Sequence, residues 1–170
     1  MPAISAVIIT KNEEQNIERC LTSLIGIADE ILVLDSGSTD RTLEICNDFE
    51  SESFRVKVIA VEWQGYSATK NHGNSLAAHP YILSLDADEA ISEELRASIL
   101  AIKDQMEAAY AFHRLAFYCG KPIRYCGWYP DTKMRLFPKG IANWEGAFVH
   151  EELKLGEGIP LKKLDGDLLH

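Results

Sequence analysis

Four short apolar runs, Ile4–Thr10, Glu30–Asp35, residues 56–61 and Tyr81–Asp86, recur through the first half of the sequence with room for one helix between neighbours. They are near-continuous in Val, Ile and Leu rather than alternating. A strand with one wet face alternates, whereas a strand covered on both faces does not, so these runs predict a parallel sheet between helical layers. The intervening segments agree. Ile17, Leu21, Leu24 and Ala28 keep helical spacing, as do Leu43, Cys46 and Phe49, with N-cap candidates at Ser38, Thr39 and Asp40. Residues 66–79 are small and polar and carry a weaker helical pattern, and Ser92 precedes a stripe of Leu95, Ile99, Ile102 and Met106. Strand and helix in alternation give right-handed βαβ units, hence an α/β fold.

From Ala109 onward the pattern changes. Residues 110–117 and 133–137 read as strands, separated by a Gly- and Pro-bearing stretch at 119–130. They predict an antiparallel C-terminal addition to the sheet within one domain spanning residues 1–170. No linker or internal repeat interrupts it.

Open α/β sheets bind ligands beyond the carboxyl ends of their strands. There the sequence places Thr10-Lys11-Asn12-Glu13-Glu14, then Asp35-Ser36-Gly37-Ser38-Thr39-Asp40, then Glu62-Trp63-Gln64-Gly65, and finally Asp86-Ala87-Asp88-Glu89. Carboxylates gathered at one edge raise each other's pKa unless something positive sits among them, and a hard divalent cation with oxygen ligands is the simplest compensation. If Asp86-Ala87-Asp88 stays extended, its two carboxylates share a face. Acids at strand ends also serve as helix caps, which is the reading for Asp40, and a D-x-D triplet is short. Its location gives it force.

The net charge of -9 excludes a general nucleic-acid binder, which needs a basic face. It leaves room for a nucleotide whose phosphates a cation bridges to acids. No signal peptide and no apolar run of about 20 residues is found. The four cysteines form no C-x-x-C pair, and Cys20 and Cys46 fit buried helix positions. The expectation is a reducing, cytoplasmic setting.

Taken together, Thr10-Lys11-Asn12-Glu13-Glu14, Leu34-Asp35-Ser36-Gly37-Ser38-Thr39-Asp40 and Leu85-Asp86-Ala87-Asp88-Glu89 resemble the family 2 glycosyltransferases with a GT-A fold. Ala68-Thr69-Lys70-Asn71, Met134-Arg135-Leu136-Phe137 and Val149-His150-Glu151-Glu152-Leu153 are similar to the branch of lipopolysaccharide core glucosyltransferases. The resemblance implies transfer of a sugar, a hexose such as glucose, from a nucleotide-diphosphate donor (a UDP-sugar first) to a hydroxyl of a glycan or glycolipid acceptor, with inversion. It divides the chain into a donor half, 1–108, and an acceptor half, 109–170. Thr10, Glu13 and Asp35 then line the nucleoside pocket, with Asn12 and Ser36 beside them, and Lys70 lies near the base or diphosphate. Asp86 reaches ribose or metal, and Asp88 is the main protein ligand for Mg2+ or Mn2+. The general base is Glu151, with Asp131 and Glu152 as alternatives, since His150-Glu151-Glu152 departs from the acidic pair common in such proteins.

Trp63 reads as packing, while Trp128, Tyr129 and Trp144 read either as packing or as a platform for acceptor sugars. His72, His79 and His113 read as structural. Arg124 and Arg135 either contact a phosphorylated acceptor or pair with surface acids. Gly166-Asp167-Leu168-Leu169-His170 reads as the start of another element, and relatives of this kind continue past it, with later sequence that closes the acceptor site or meets the membrane. His170 is then either a late metal ligand or a bystander. Competing classes are a sugar nucleotidyltransferase, disfavoured by an acidic first loop without glycine, and a receiver-like signalling domain, disfavoured by the Val61-Glu62-Trp63 ending of the third run. A donor-binding domain without turnover is a further alternative.

Overall fold

The computed structural model describes residues 2–49, 55–146 and 151–170. In chain order the elements are β1 (Ile4–Thr10), α1 (Ile17–Ser23), β2 (Glu30–Asp35), α2 (Thr42–Asp48), β3 (Val56–Ala60), α3 (Tyr66–Leu76), β4 (Tyr81–Asp86), β5 (Ala90–Ile91) and α4 (Glu93–Ile102). The second half adds β6 (Ala109–Leu115), β7 (Phe117–Tyr118), β8 (Lys121–Pro122), β9 (Asp131–Pro138), β10 (Ala142–Glu145), β11 (Glu152–Leu155) and β12 (Leu161–Leu169).

The main sheet runs β3-β2-β1-β4-β9-β6-β12-β5. The first four strands are parallel, in registers that pair Thr10 with Asp35 and Ile9 with Asp86. Every residue of β1 is buried, which is why its sequence does not alternate. The expected antiparallel addition is present: β9 runs antiparallel to both β4 and β6. The carboxyl ends of β4 and β6 therefore share one edge of the sheet.

Two apolar cores flank the sheet. Ile17, Cys20 and Leu21 of α1, Cys46 of α2, and Leu95 and Ile99 of α4 fill one face. On the other face Val7, Ile9, Leu32 and Leu34 meet Ala142, Leu153 and Leu155 of the β10–β11 hairpin. Burial pushes the Cys46 thiol up to about 11 and the Cys20 thiol well above its ordinary value, as expected of cysteines that act as small hydrophobes.

Helix α3 belongs to this second face, and its polar composition has a packing reason. A Cβ on Gly73 would stand 2.5 Å from Val7 Cγ1 and 2.9 Å from Leu34 Cδ1, so the helix lies close against β1 and β2. Asn71 then uses its amide as a strand would, donating to Trp144 O and accepting from Trp144 N, both at 2.9 Å. That reciprocal pair fastens β10 to α3.

Several expectations need correction. The segment 166–170 is not the start of an element but the end of β12, a strand parallel to β6 with a bulge between Lys163 and Asp167. Apolar positions there are broken up by the bulge, so the strand does not read as one. Asp86-Ala87-Asp88 is not extended: Glu89 N–H donates to Asp86 O at 3.0 Å, closing a turn. Ser92 caps α4 as expected, accepting from Leu95 N at 3.2 Å and also from Asp167 N at 3.0 Å. Gly166, at φ 98°, lets the bulge lie on that cap, and a Cβ there would stand 2.2 Å from Leu95 N. We expect Gly166→Ala to cost about 3 kcal/mol of stability, at the upper end for overpacking a rigid site. Urea unfolding measures it, and a loss under about 0.5 kcal/mol would contradict the contact.

Candidate active site

Two cavities open along the carboxyl edge and meet at Asp86. The first, of about 380 Å³, is lined by Thr10, Lys11 and Glu13 after β1, by Trp63 and Tyr66 before and on α3, and by Asp86, Ala87, Asp88 and His170. The second, of about 540 Å³, is lined by Asp86, Arg114, Thr132, Lys133, Met134, Arg135, Trp144, Glu151, Glu152 and Leu153.

The acidic turn after β4 is balanced largely by the protein's own cations. Lys70, fully buried, sits 2.9 Å from Asp86 and 3.1 Å from Glu151, with its ammonium 4.4 Å from the centre of the Trp144 ring. Three N–H donors thus find two carboxylates and a π face. Arg135 approaches Asp86 at 3.4 Å and the fully buried Glu89 at 2.8 Å, and its guanidinium also lies by the Trp144 ring, 5.3 Å from the centre. Burial works against ionising Asp86, but Arg135 and Lys70 outweigh it and hold its carboxyl below the usual range. Burial dominates at Glu89 and pushes its carboxyl up despite Arg135, with the Asp86 charge adding to the push. Glu89 also accepts from Asp86 N–H at 3.0 Å, so it fixes the turn from beneath.

The three acids of this turn therefore have three destinations. Asp86 pairs with Lys70 and Arg135 where the two cavities meet, Glu89 is buried against Arg135, and Asp88 lines the first cavity with no lysine or arginine side chain on its carboxylate among the described residues. Lys70 and Arg135 therefore supply part of the positive charge that the sequence left to a bound cation, and they do so at Asp86 and Glu89. His170 Nε2 stands 3.3 Å from Asp88 Oδ2, and hydrogen bonding to Asp88 raises the pKa of its imidazole. Arg19 donates to Asp88 O at 2.6 Å and steadies the loop.

Thr10 and Glu13 line the first cavity as expected. Thr10 Oγ1 is buried without a partner among the described residues, and so is Ser36 Oγ. Glu13 accepts from Asn16 at 2.8 Å, while its N–H donates to Thr42. Asp35 does not line the cavity: its carboxylate accepts from Gly37 N at 2.9 Å, from Ser38 N at 3.0 Å and from the Ser38 hydroxyl. Asn12 ties the loops after β1 and β2 together, accepting from Thr39 N at 2.7 Å. Both shape the rim from behind. The N-cap position of α2 falls to Arg41 rather than Asp40, which stands one residue earlier and accepts from Thr42 N at 3.0 Å.

On the other side Glu151 and Glu152 both line the second cavity, Glu151 held by Lys70 and Glu152 exposed at the start of β11. Asp131 is absent from the lining of both cavities and is paired with Arg114 at 2.9 Å and Lys133 at 3.0 Å. Val149 and His150 lie outside the described residues. Trp63 is 43% exposed and edge-on to Tyr66 at 4.8 Å, so it is a cavity wall rather than packing. Trp144 is buried against the cations and offers no open platform. Arg135 is likewise buried rather than on the surface. Lys11, Tyr66 and Glu89 were not singled out from sequence. Lys11 stood beside Thr10 in the same strand-end motif, which could have identified it.

The glycosyl transferase family 2 model matches residues 5–149. A glycosyltransferase of uncharacterized role from Rickettsia typhi is 37% identical over 141 residues, covering 81% of this chain and 43% of its own length. The lipopolysaccharide core biosynthesis glycosyltransferase LpsC of Rhizobium meliloti is 28% identical over 176 residues, 98% of this chain and 62% of LpsC. The chain thus spans about half the length of the curated relatives it matches. Among solved structures, S. aureus TarS 1–349 with UDP-GlcNAc superimposes at a TM-score of 0.57 with 24% identity, covering 71% of this chain and 36% of that one. The mannosyltransferase PcManGT of Pyrobaculum calidifontis, with GDP-Man and Mn2+, gives 0.54 and 21%, covering 68% and 36%.

Proposed function

The chain belongs to glycosyl transferase family 2, and from that premise we propose that it transfers a hexose from a nucleotide-diphosphate donor to a hydroxyl of a glycan or lipopolysaccharide-type acceptor, with inversion. The observation that carries this reading is the pair of cavities sharing Asp86, one bearing Asp88 and the other Glu151. A donor in the first cavity brings its anomeric carbon to the junction, and an acceptor in the second approaches from the opposite side. In-line displacement needs that geometry and one base.

Thr10, Lys11 and Glu13 offer polar groups to the nucleoside, and Trp63 and Tyr66 offer ring faces or edges to it. TarS was solved with UDP-GlcNAc and PcManGT with GDP-Man, which supports a nucleotide-sugar donor and leaves UDP as our first choice. LpsC, by its name, supports an acceptor of the lipopolysaccharide type.

The donor set fits Mg2+ or Mn2+ only in part. No cluster of three or more His, Cys, Asp or Glu suited to a metal exists among the described residues. Asp88 and His170 would hold the ion, with diphosphate oxygens and water completing its shell, the usual arrangement for such cations. When bound, the ion stabilises negative charge on the departing diphosphate. Asp86, held by Lys70 and Arg135, orients the donor rather than the ion. Glu151 accepts the acceptor proton through the oxygen that Lys70 does not hold.

No helix among the described residues is long and apolar enough to cross a membrane. A cytoplasmic location remains our reading.

The test is a thermal-shift panel of UDP-, GDP- and dTDP-sugars with and without Mn2+. One donor with Mn2+ should raise the melting temperature, by an amount corresponding to about 2.7 kcal/mol at a hundredfold excess over Kd. Asp88→Ala should abolish that shift, and an undiminished shift would remove Asp88 from the site. A shift without detectable transfer would favour a donor-binding domain that does not turn over.

A further inference from the structure

We infer that the β7–β8 hairpin and the loop following it to Trp128 dock this chain on a bilayer surface carrying anionic headgroups. Phe117 is 41% exposed, Tyr118 73%, Tyr125 81% and Trp128 59%. The other exposed large hydrophobic side chains are scattered along the chain, or, like Trp63 and Tyr66, line the first cavity. None of these four aromatics lines either cavity. Four exposed aromatic side chains within one hairpin and the loop that follows it mark an interaction surface.

Composition identifies the partner. Residues 116–130 contain no Asp or Glu in a chain of net charge -9, and they carry Lys121 and Arg124. They also contain no Asn, Gln, Ser or Thr, the neutral side chains that would hydrogen-bond sugar hydroxyls at fixed positions. Rings with one polar edge, set among cations, match the headgroup zone of a membrane, where Trp and Tyr concentrate and Lys and Arg meet anionic lipid. Arg124 leans on Asp167 at 3.6 Å and on the Tyr129 ring, so Lys121 contributes the freer charge.

The platform is braced rather than loose. Phe117 N–H donates to His170 O at 2.7 Å, Ile123 N–H to Ala116 O at 2.8 Å, and the Tyr129 hydroxyl to Asp167 at 2.8 Å. It leaves the carboxyl end of β6, the edge at which both cavities open.

Flotation of the 170-residue chain with vesicles of phosphatidylethanolamine and phosphatidylglycerol, against phosphatidylcholine alone, tests this without donor or acceptor, so its outcome is separable from the function proposed above. Association with the anionic vesicles is expected, and brominated lipid should quench tryptophan fluorescence there. The double variant Tyr125→Ser, Trp128→Ser, folded as judged by an unchanged thermal midpoint, should bind about tenfold less. Lys121→Glu should weaken binding further in low salt than in high salt. Absence of vesicle binding, or equal binding by the double variant, overturns the inference. So does retention on oligosaccharide without vesicle binding, or a dimer that the double variant abolishes, which would assign the patch to a glycan or to a second copy.

Discussion

Glu151→Gln is expected to leave donor-induced stabilisation intact and to lower the rate of sugar transfer by about 10²–10⁴-fold, the range for removing a positioned base. The carboxamide keeps the size of the carboxylate and still accepts a hydrogen bond from Lys70, now 3.1 Å from Glu151 Oε1. What it loses is the capacity to take a proton. Glu151 lines the second cavity while its partner Lys70 is fully buried, so the side chain spans from the interior to the space for an acceptor hydroxyl. Glu152 lines that cavity too, but from an exposed position in β11, where it faces Glu145 across the hairpin. A measurement of transfer in Glu151→Gln and Glu152→Gln, each with its donor-induced thermal shift, separates the two. Wild-type turnover in Glu151→Gln with loss in Glu152→Gln would move the base by one residue.

The site's location was legible from the strands, because complete burial leaves a continuous apolar signature and the sheet edge follows from it. β1, β2 and β4 begin and end where their apolar runs do. β12 was not legible: its bulge at Gly166 interrupts the pattern, and the bulge exists to seat Asp167 on the Ser92 cap. The β10–β11 hairpin was hidden for another reason, since four-residue strands with one buried face carry too few positions to establish a period. Asn71, read only as part of a family motif, turned out to anchor that hairpin.

The electrostatics of the site were the least legible part. A run of Asp86, Asp88 and Glu89 looks like uncompensated charge because sequence displays neighbours, not contacts. The balancing groups are remote: Arg135 lies 46 residues beyond Glu89, and Glu151 lies 81 residues beyond the lysine it meets. No spacing rule links such positions. The fold brings them together only because β9 inserts beside β4 and because α3 presses Lys70 beneath the edge.

Lys70→Met is expected to destabilise the chain by about 3 kcal/mol, seen as a lower urea midpoint at unchanged slope. Methionine keeps the length and apolar stem of the side chain, so packing against Tyr66 and Trp144 changes little. The charge is what disappears, and it sits between Asp86 and Glu151. Breaking one partner out of a buried ionic cluster typically costs 3–5 kcal/mol. The lower figure applies because Asp86 and Glu151 keep 26% and 21% of their side-chain surface in water, and Arg135 still attends Asp86. An exposed pair would lose only about 0–1 kcal/mol, so the size of the loss decides between a structural keystone and a decorative contact. The cycle with Glu151→Gln sharpens the decision. Once Lys70 is gone, Glu151 lacks its cation, and making it neutral should recover part of the loss, leaving the double variant more stable than the sum of the single changes predicts. Additive costs would mean that the two side chains do not hold one another, and the bridge between the cavities would have to be abandoned.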